Sequence, residues 1–215
     1  MMKDMSLLEQ QFGTTAPLPR LTGKEVLAGP DPAVCKVKGV MFGGRKQFLS
    51  DTLGEERFNQ LLARLSPRTA QYTRTPLASS WCEFESIVEL DRAIYDLMHR
   101  DYPNILALIG AASAELGIGK VYKSLDNAEL TTFLEKSALF HSQYQKFGRV
   151  QFEKTAEGGR MIYSDYPCFS PIYCASAFGF FLEAILRHGG TNPRVVESTC
   201  QTLGDAACTY EMTWR

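Results

Sequence analysis

The residues best suited to chemistry lie close to the C-terminal end, in VVESTCQTLGDAACTYEMTW, Val195 to Trp214. Glu197, Cys200 and Cys208 stand on the two arms of what reads as a tight hairpin turning near Gly204-Asp205. With the turn centred on Gly204, Cys200 and Cys208 fall four residues to either side. Opposite residues of an antiparallel pair have Cβ atoms about 4.5–5.5 Å apart, so two thiolates placed this way reach one ion. Glu197 precedes Cys200 by three positions. A flat strand would send those two side chains to opposite faces, so a shared site requires a bulge or a strong twist. Cys174 lies on the preceding apolar helix, which supplies a fourth ligand if it packs over the hairpin. Three thiolates and one carboxylate suit tetrahedral zinc, and four protein ligands leave no position open for water. Such an ion would fasten helix to hairpin and perform no Lewis-acid chemistry. The same residues also read as small buried hydrophobes beside a surface glutamate, or as a Cys200–Cys208 disulfide.

Other chemistry is sparse. His99 and His188 close helices, where a cation is ordinary, which leaves His141 in LFHSQYQKF as the one histidine to weigh as a haem or metal ligand. No G-x-S-x-G, P-loop or dinucleotide fingerprint is present. GGRK at 43–46 is basic and glycine-rich but isolated, and Glu83 and Glu85 read as first-turn helix carboxylates. No nucleophile, base or open metal position emerges, so the chain reads as non-enzymatic. The aromatic residues Trp81, Tyr122, Phe133, Phe140, Tyr144, Phe152, Tyr173 and Phe178 are candidates to line an apolar pocket between helices and sheet. Pockets of that kind hold a small hydrophobic or aromatic molecule through a few polar contacts.

The elements that must position these residues follow from periodicity. VCKVKGVMF begins with strand-like alternation, and RKQFLSDTLGEERFNQLLARLSP fits two short helices around Gly54, ended by Pro67. WCEFESIVELDRAIYDLMHRDYP, the alanine-rich NILALIGAASAELGIGKVY, NAELTTFLEKSALFHSQYQKF and PIYCASAFGFFLEAILRHGG give four more helices. Small residues in the second of these permit close packing or leave space beside it. RVQFEKTAEGGRMIYSDYP reads as a hairpin around Glu157-Gly158-Gly159, and the C-terminal hairpin completes an antiparallel set of about four to five strands. The expected class is α+β, an antiparallel sheet packed with a bundle of helices. Residues 1–33, broken by proline and glycine, read as an arm or leader, and 34–215 as one domain.

The chain has 215 residues, a net charge of −1, 45% hydrophobic and 22% charged residues. That balance supports a real core and gives no global field to recruit nucleic acid or an acidic membrane. No run of about 18 apolar residues suggests a membrane span, and MMKDMSLLEQQFG lacks the layout of a secretory signal, so a cytoplasmic location is expected. In a reducing compartment the six cysteines point to metal ligation or plain burial more than to disulfides.

The order Cys174, Glu197, Cys200, Cys208 resembles the metal set of the 4-vinyl reductase domain, in which an E-x2-C-x7-C element follows a cysteine-bearing helix. GVMF, Trp81 before a helix, IGAASAELGIGKVY and FGRV extend the likeness to myxobacterial vinyl-reductase-like proteins. The wider superfamily includes haem nitric-oxide-binding domains and small subunits of the transport protein particle. The resemblance implies structural zinc, dimerisation, and a sensor or regulatory module that reports ligand occupancy to an unknown downstream protein. A scaffold or assembly subunit without a functional ligand is the alternative. The haem branch holds propionates with a Tyr-x-Ser-x-Arg element, which MIYSDYP does not supply, so no haem is expected.

Overall fold

The computed structural model describes residues 34–120 and 128–215. The expected arm over 1–33, and Tyr122, lie outside the described residues. A short strand β1 (Lys36–Lys38) pairs antiparallel with β2 (Trp81–Glu83), with Val37 opposite Cys82. Between them run α1 (Val40–Leu62) and α2 (Pro67–Arg74), followed after β2 by α3 (Phe84–Met98), α4 (Ile105–Lys120) and α5 (Leu130–Leu139). The C-terminal part is β3 (Arg149–Lys154), β4 (Gly158–Ser164), α6 (Pro171–Arg187), β5 (Arg194–Thr199) and β6 (Ala207–Thr213). The last four strands form one antiparallel sheet in the order β3-β4-β6-β5. The class is therefore α+β, as the periodicities require.

Local chemistry explains most boundaries. α1 breaks at Gly54, whose φ of 72° and ψ of 167° are open to glycine. Pro67 does not end a helix but starts α2 at its first position, where the Ser66 side chain accepts from the Thr69 amide at 3.3 Å. GVMF belongs to α1 and the turn before it, so β1 is only three residues long. α3 buries Ile87, Leu90, Ile94 and Met98 at helical spacing. α4 is apolar almost all round, and its stretch from Ile105 to Ile109 is buried throughout.

α4 packs more extensively on α6 than on any other element. The two backbones touch: a Cβ at Gly110 would collide with the Ser176 carbonyl, and one at Gly179 with the Ala107 carbonyl. In the β3–β4 hairpin the turn lies at 155–157, and Gly158 and Gly159 belong to β4. There they admit the Met212 backbone and the Phe152 ring at close range.

Cys35 and Cys168 form a disulfide that ties the residue before β1 to the segment between β4 and α6. This corrects the expectation of thiols alone: both side chains are fully buried, and the fold lays β1 beside that segment. Among the described residues no helix is long and apolar enough to cross a membrane.

Candidate functional site

α6 starts at Pro171 after Ser170 in extended conformation, and this puts Cys174 in its first turn, over the sheet. β5 and β6 pair in register from Arg194↔Thr213 to Glu197↔Tyr210, then shift so that Thr199 faces Thr209. The extra residue on β5 is the bulge that a shared Glu197–Cys200 site needs. Past it, a 3₁₀ turn over Gln201–Leu203 and Gly204 at φ 99° reverse the chain and return Cys208 opposite Cys200.

Donor atoms of Cys174, Glu197, Cys200 and Cys208 consequently all lie within 4.8 Å of one another. The three sulfurs form a near-equilateral triangle: Cys174–Cys200, Cys174–Cys208 and Cys200–Cys208 are each 3.9 Å apart. A tetrahedral ion with metal–sulfur bonds of about 2.3 Å has sulfur–sulfur edges of about 3.8 Å. The sulfurs are too far apart for a Cys200–Cys208 disulfide. Glu197 Oε1 is buried with no hydrogen-bond partner, which leaves an acceptor for a cation. Around the cluster, the Cys200 amide donates to Asp205 at 2.8 Å and the Gln201 amide to Cys208 Sγ at 3.3 Å.

Without a cation, the donors share protons unequally. Hydrogen bonds from Cys174 and Cys208 pull Cys200 well below the usual thiol range. Cys174 is held well above it by its bonds to Cys200 and Cys208, and then by burial. Burial, followed by the charge on Cys200, pushes Glu197 up to about 8. The cluster thus concentrates one negative charge and keeps further protons that a cation would displace.

A cavity of about 350 Å³ lies on the other side of α6, in the size range of small-molecule sites. α1, α4, α5, the β3–β4 hairpin and α6 wall it, through Met41, Leu116, Ala138, Val150, Met161 and Phe181 among others. Gly43 and Gly117 keep it open, since a Cβ on either would meet nothing within 4 Å. One end is polar. Gln145 Nε2 donates to the Tyr173 hydroxyl at 2.6 Å, and Gln145 Oε1 accepts from Tyr166 at 3.1 Å. Tyr166 and His141 Nε2 share a hydrogen bond of 2.6 Å, and burial lowers the His141 pKa, favouring the neutral ring. At the same wall Arg45 binds Asp91 through both carboxylate oxygens, at 2.6 and 2.7 Å. GGRK is therefore helical, and its arginine is committed within the core.

Of the aromatic candidates, Tyr144 and Tyr173 line the cavity. Trp81 lies on β2 beneath the ammonium groups of Lys38 and Lys146, 4.2 and 4.5 Å from its ring. Phe133 stacks on His188 at 4.3 Å, Phe178 is core, Phe140 caps α5, and Phe152 lies against Gly159. His99 and His188 each bind a carbonyl of their own helix at 2.8 Å. The sequence singles out Arg45 only as part of GGRK, and Asp91, Gln145 and Tyr166 not at all. The one available signal was Gln145 standing a helical turn after His141.

No family model and no curated protein matches the chain. Solved structures do. An H-NOX protein from S. oneidensis in the Fe(II)NO ligation state superposes with a TM-score of 0.66 at 13% identity, covering 83% of this chain and 99% of that one. Unliganded Fe(II) H-NOX from K. algicida gives 0.64 at 13% identity, covering 83% and 96%. A structure from work on heme distortion in the H-NOX family gives 0.64 at 13%, covering 83% and 95%.

These neighbours overturn the expectation of zinc without haem: the solved structures that superpose here are H-NOX proteins, a heme family. A haem needs an axial ligand and partners for its propionates. His141 offers a ring nitrogen at the cavity wall, already engaged by Tyr166. Arg45, the cation among the described lining residues, is held by Asp91. The described walls thus offer an axial nitrogen only at the expense of its bond to Tyr166, and no free cation for the propionates. At this level of identity the likeness carries architecture alone: the chain has the fold of the haem nitric-oxide-binding domains.

Proposed function

We propose that the chain is a non-enzymatic, small-molecule-binding sensor module of the 4-vinyl-reductase kind. The observation that carries this reading is the adjacency of Tyr173 and Cys174 in the first turn of α6. One lines the cavity and the other the thiolate cluster. The cavity takes a small apolar or aromatic molecule. Cys174, Glu197, Cys200 and Cys208 hold a thiophilic metal ion that fixes α6 to the β5–β6 hairpin and keeps one wall still. Residues 34–215 act as one domain. Occupancy shifts the population between two packings of the helices. The output passes through protein association, as a homodimer and with a downstream protein.

Native mass spectrometry with elemental analysis tests this on protein purified without added metal. The expected result is about one thiophilic ion per chain, lost in Cys200→Ser/Cys208→Ser, together with uptake of naphthalene that Gly117→Leu abolishes. Metal-free, folded protein that takes up no naphthalene overturns the reading. The absorption spectrum of the same sample reports any haem.

A further inference from the structure

The polar atoms around the cavity are unevenly committed. Arg45 gives two donors to Asp91 and one to the Met41 carbonyl at 3.2 Å. Gln145, Tyr166 and His141 satisfy one another. Tyr173 differs: its hydroxyl accepts from Gln145, and among the described residues its own hydrogen meets no acceptor. Ser113 Oγ, on the α4 wall, has no hydrogen-bond partner among the described residues.

These two hydroxyls belong to one end of the cavity. The α4–α6 contact runs antiparallel, with Ala107 at Gly179 and Gly110 at Ser176. One turn further, the same progression brings Ser113 to the level of Tyr173. Ser113 also borders α1, where a Cβ built on Gly44 would lie 3.4 Å from its Oγ. The unspent capacity at this end is thus hydrogen-bond donation, without net charge, beside a wall that is otherwise largely apolar.

We propose that the cavity's ligand is an uncharged, largely apolar molecule bearing one carbonyl-type oxygen, which accepts from the Tyr173 hydroxyl with Ser113 beside it. This rests on the cavity being a ligand site. A hydrocarbon leaves both donors unpaired in a dry site. A carboxylate must be desolvated with no free cation to receive it among the described lining residues, because Arg45 is neutralised by Asp91.

Isothermal calorimetry on the full chain with three probes of similar shape tests the proposal: 2-acetylnaphthalene, 2-ethylnaphthalene and 2-naphthoate. The wild-type chain binds the ketone at least as tightly as the hydrocarbon, and binds the naphthoate about a hundredfold more weakly or not at all. In Tyr173→Phe the ketone-to-hydrocarbon affinity ratio falls about tenfold, because the ketone loses its donor and the hydrocarbon no longer strands one. Ser113→Ala lowers the same ratio less. Should Tyr173→Phe fail to fold, the wild-type ranking and Ser113→Ala decide. Hydrocarbon preferred over ketone, naphthoate bound as well as ketone, or a ratio unmoved in Tyr173→Phe overturns the proposal and leaves the cavity a ligand site. Binding of no probe overturns both.

Discussion

Replacing Asp91 by asparagine tests whether the polar end of the cavity is as dry as its geometry implies. Asp91 is 0% exposed and Arg45 3%, and the two meet through a bidentate pair of 2.6 and 2.7 Å. The amide keeps the shape of the carboxylate but turns one acceptor into a donor facing a guanidinium N–H. Arg45 then remains charged, buried and half-satisfied. Removing one partner of such a pair costs about 3–5 kcal/mol. With a urea m-value of about 2.5 kcal/mol/M, the unfolding midpoint falls by roughly 1–2 M. Arg45→Met/Asp91→Leu removes both charges and is expected within about 1 kcal/mol of the parent, or above it. The double-mutant cycle thus yields a large coupling energy, measured by equilibrium urea unfolding followed by circular dichroism. A midpoint lowered by less than about 0.3 M in Asp91→Asn, at unchanged m, refutes the argument. Water would then reach the pair, and the exclusion of anionic ligands would lose its basis.

Gly110→Ala and Gly179→Ala each force the α4–α6 backbones apart and are expected to destabilise by about 1–3 kcal/mol. Gly117→Ala, on open space in the same helix, stabilises by up to about 1 kcal/mol, read by thermal unfolding. Unfolded without reductant and with a chelator, the chain exposes the four free thiols to a thiol reagent, and all six after reduction. Burial opposes the Glu83 carboxylate, but hydrogen bonds from Tyr72 and Lys36 outweigh it and bring it down to about 2. Its contribution is complete above the unfolded carboxylate pKa of about 4.3 and is lost as pH falls through the folded value. The stability gap between wild type and Glu83→Gln is therefore constant near neutrality and closes between those two values.

Local patterns were legible where one short stretch sets the geometry. The spacing of Cys200, Gly204 and Cys208 announced the C-terminal hairpin, and Glu197 three residues upstream demanded the bulge found between Glu197 and Thr199. The small residues of α4 suggested either close packing or empty space, and the helix provides both, at Gly110 and Gly117. β1 and β2 were harder to read because three residues show almost no periodicity. Gly158-Gly159 looked like a turn, yet close approach by β6 and Phe152 requires glycine in β4 just as strictly. Arg45 and Asp91 lie 46 positions apart and look like two ordinary helix charges. Only the packing of α1 on α3 reveals that they are buried together. Aromatic content indicated a core in general but could not separate Tyr173, at the cavity, from Phe133, beneath His188.

The glycine contact between α4 and α6 also decides how a molecule could get in. Two helices touching backbone to backbone have no long side chains between them to swing aside, so parting them means giving up the seam whole. Of the remaining walls, α1 is interrupted at Gly54 and α5 is only ten residues long. Among the described walls, α1, α5 and the β3–β4 hairpin are therefore the ones that part at lower cost, with the α4–α6 seam as a fixed back wall. Hydrogen exchange would report it as fast amide opening in α1 and α5 against slow opening along α4 and α6.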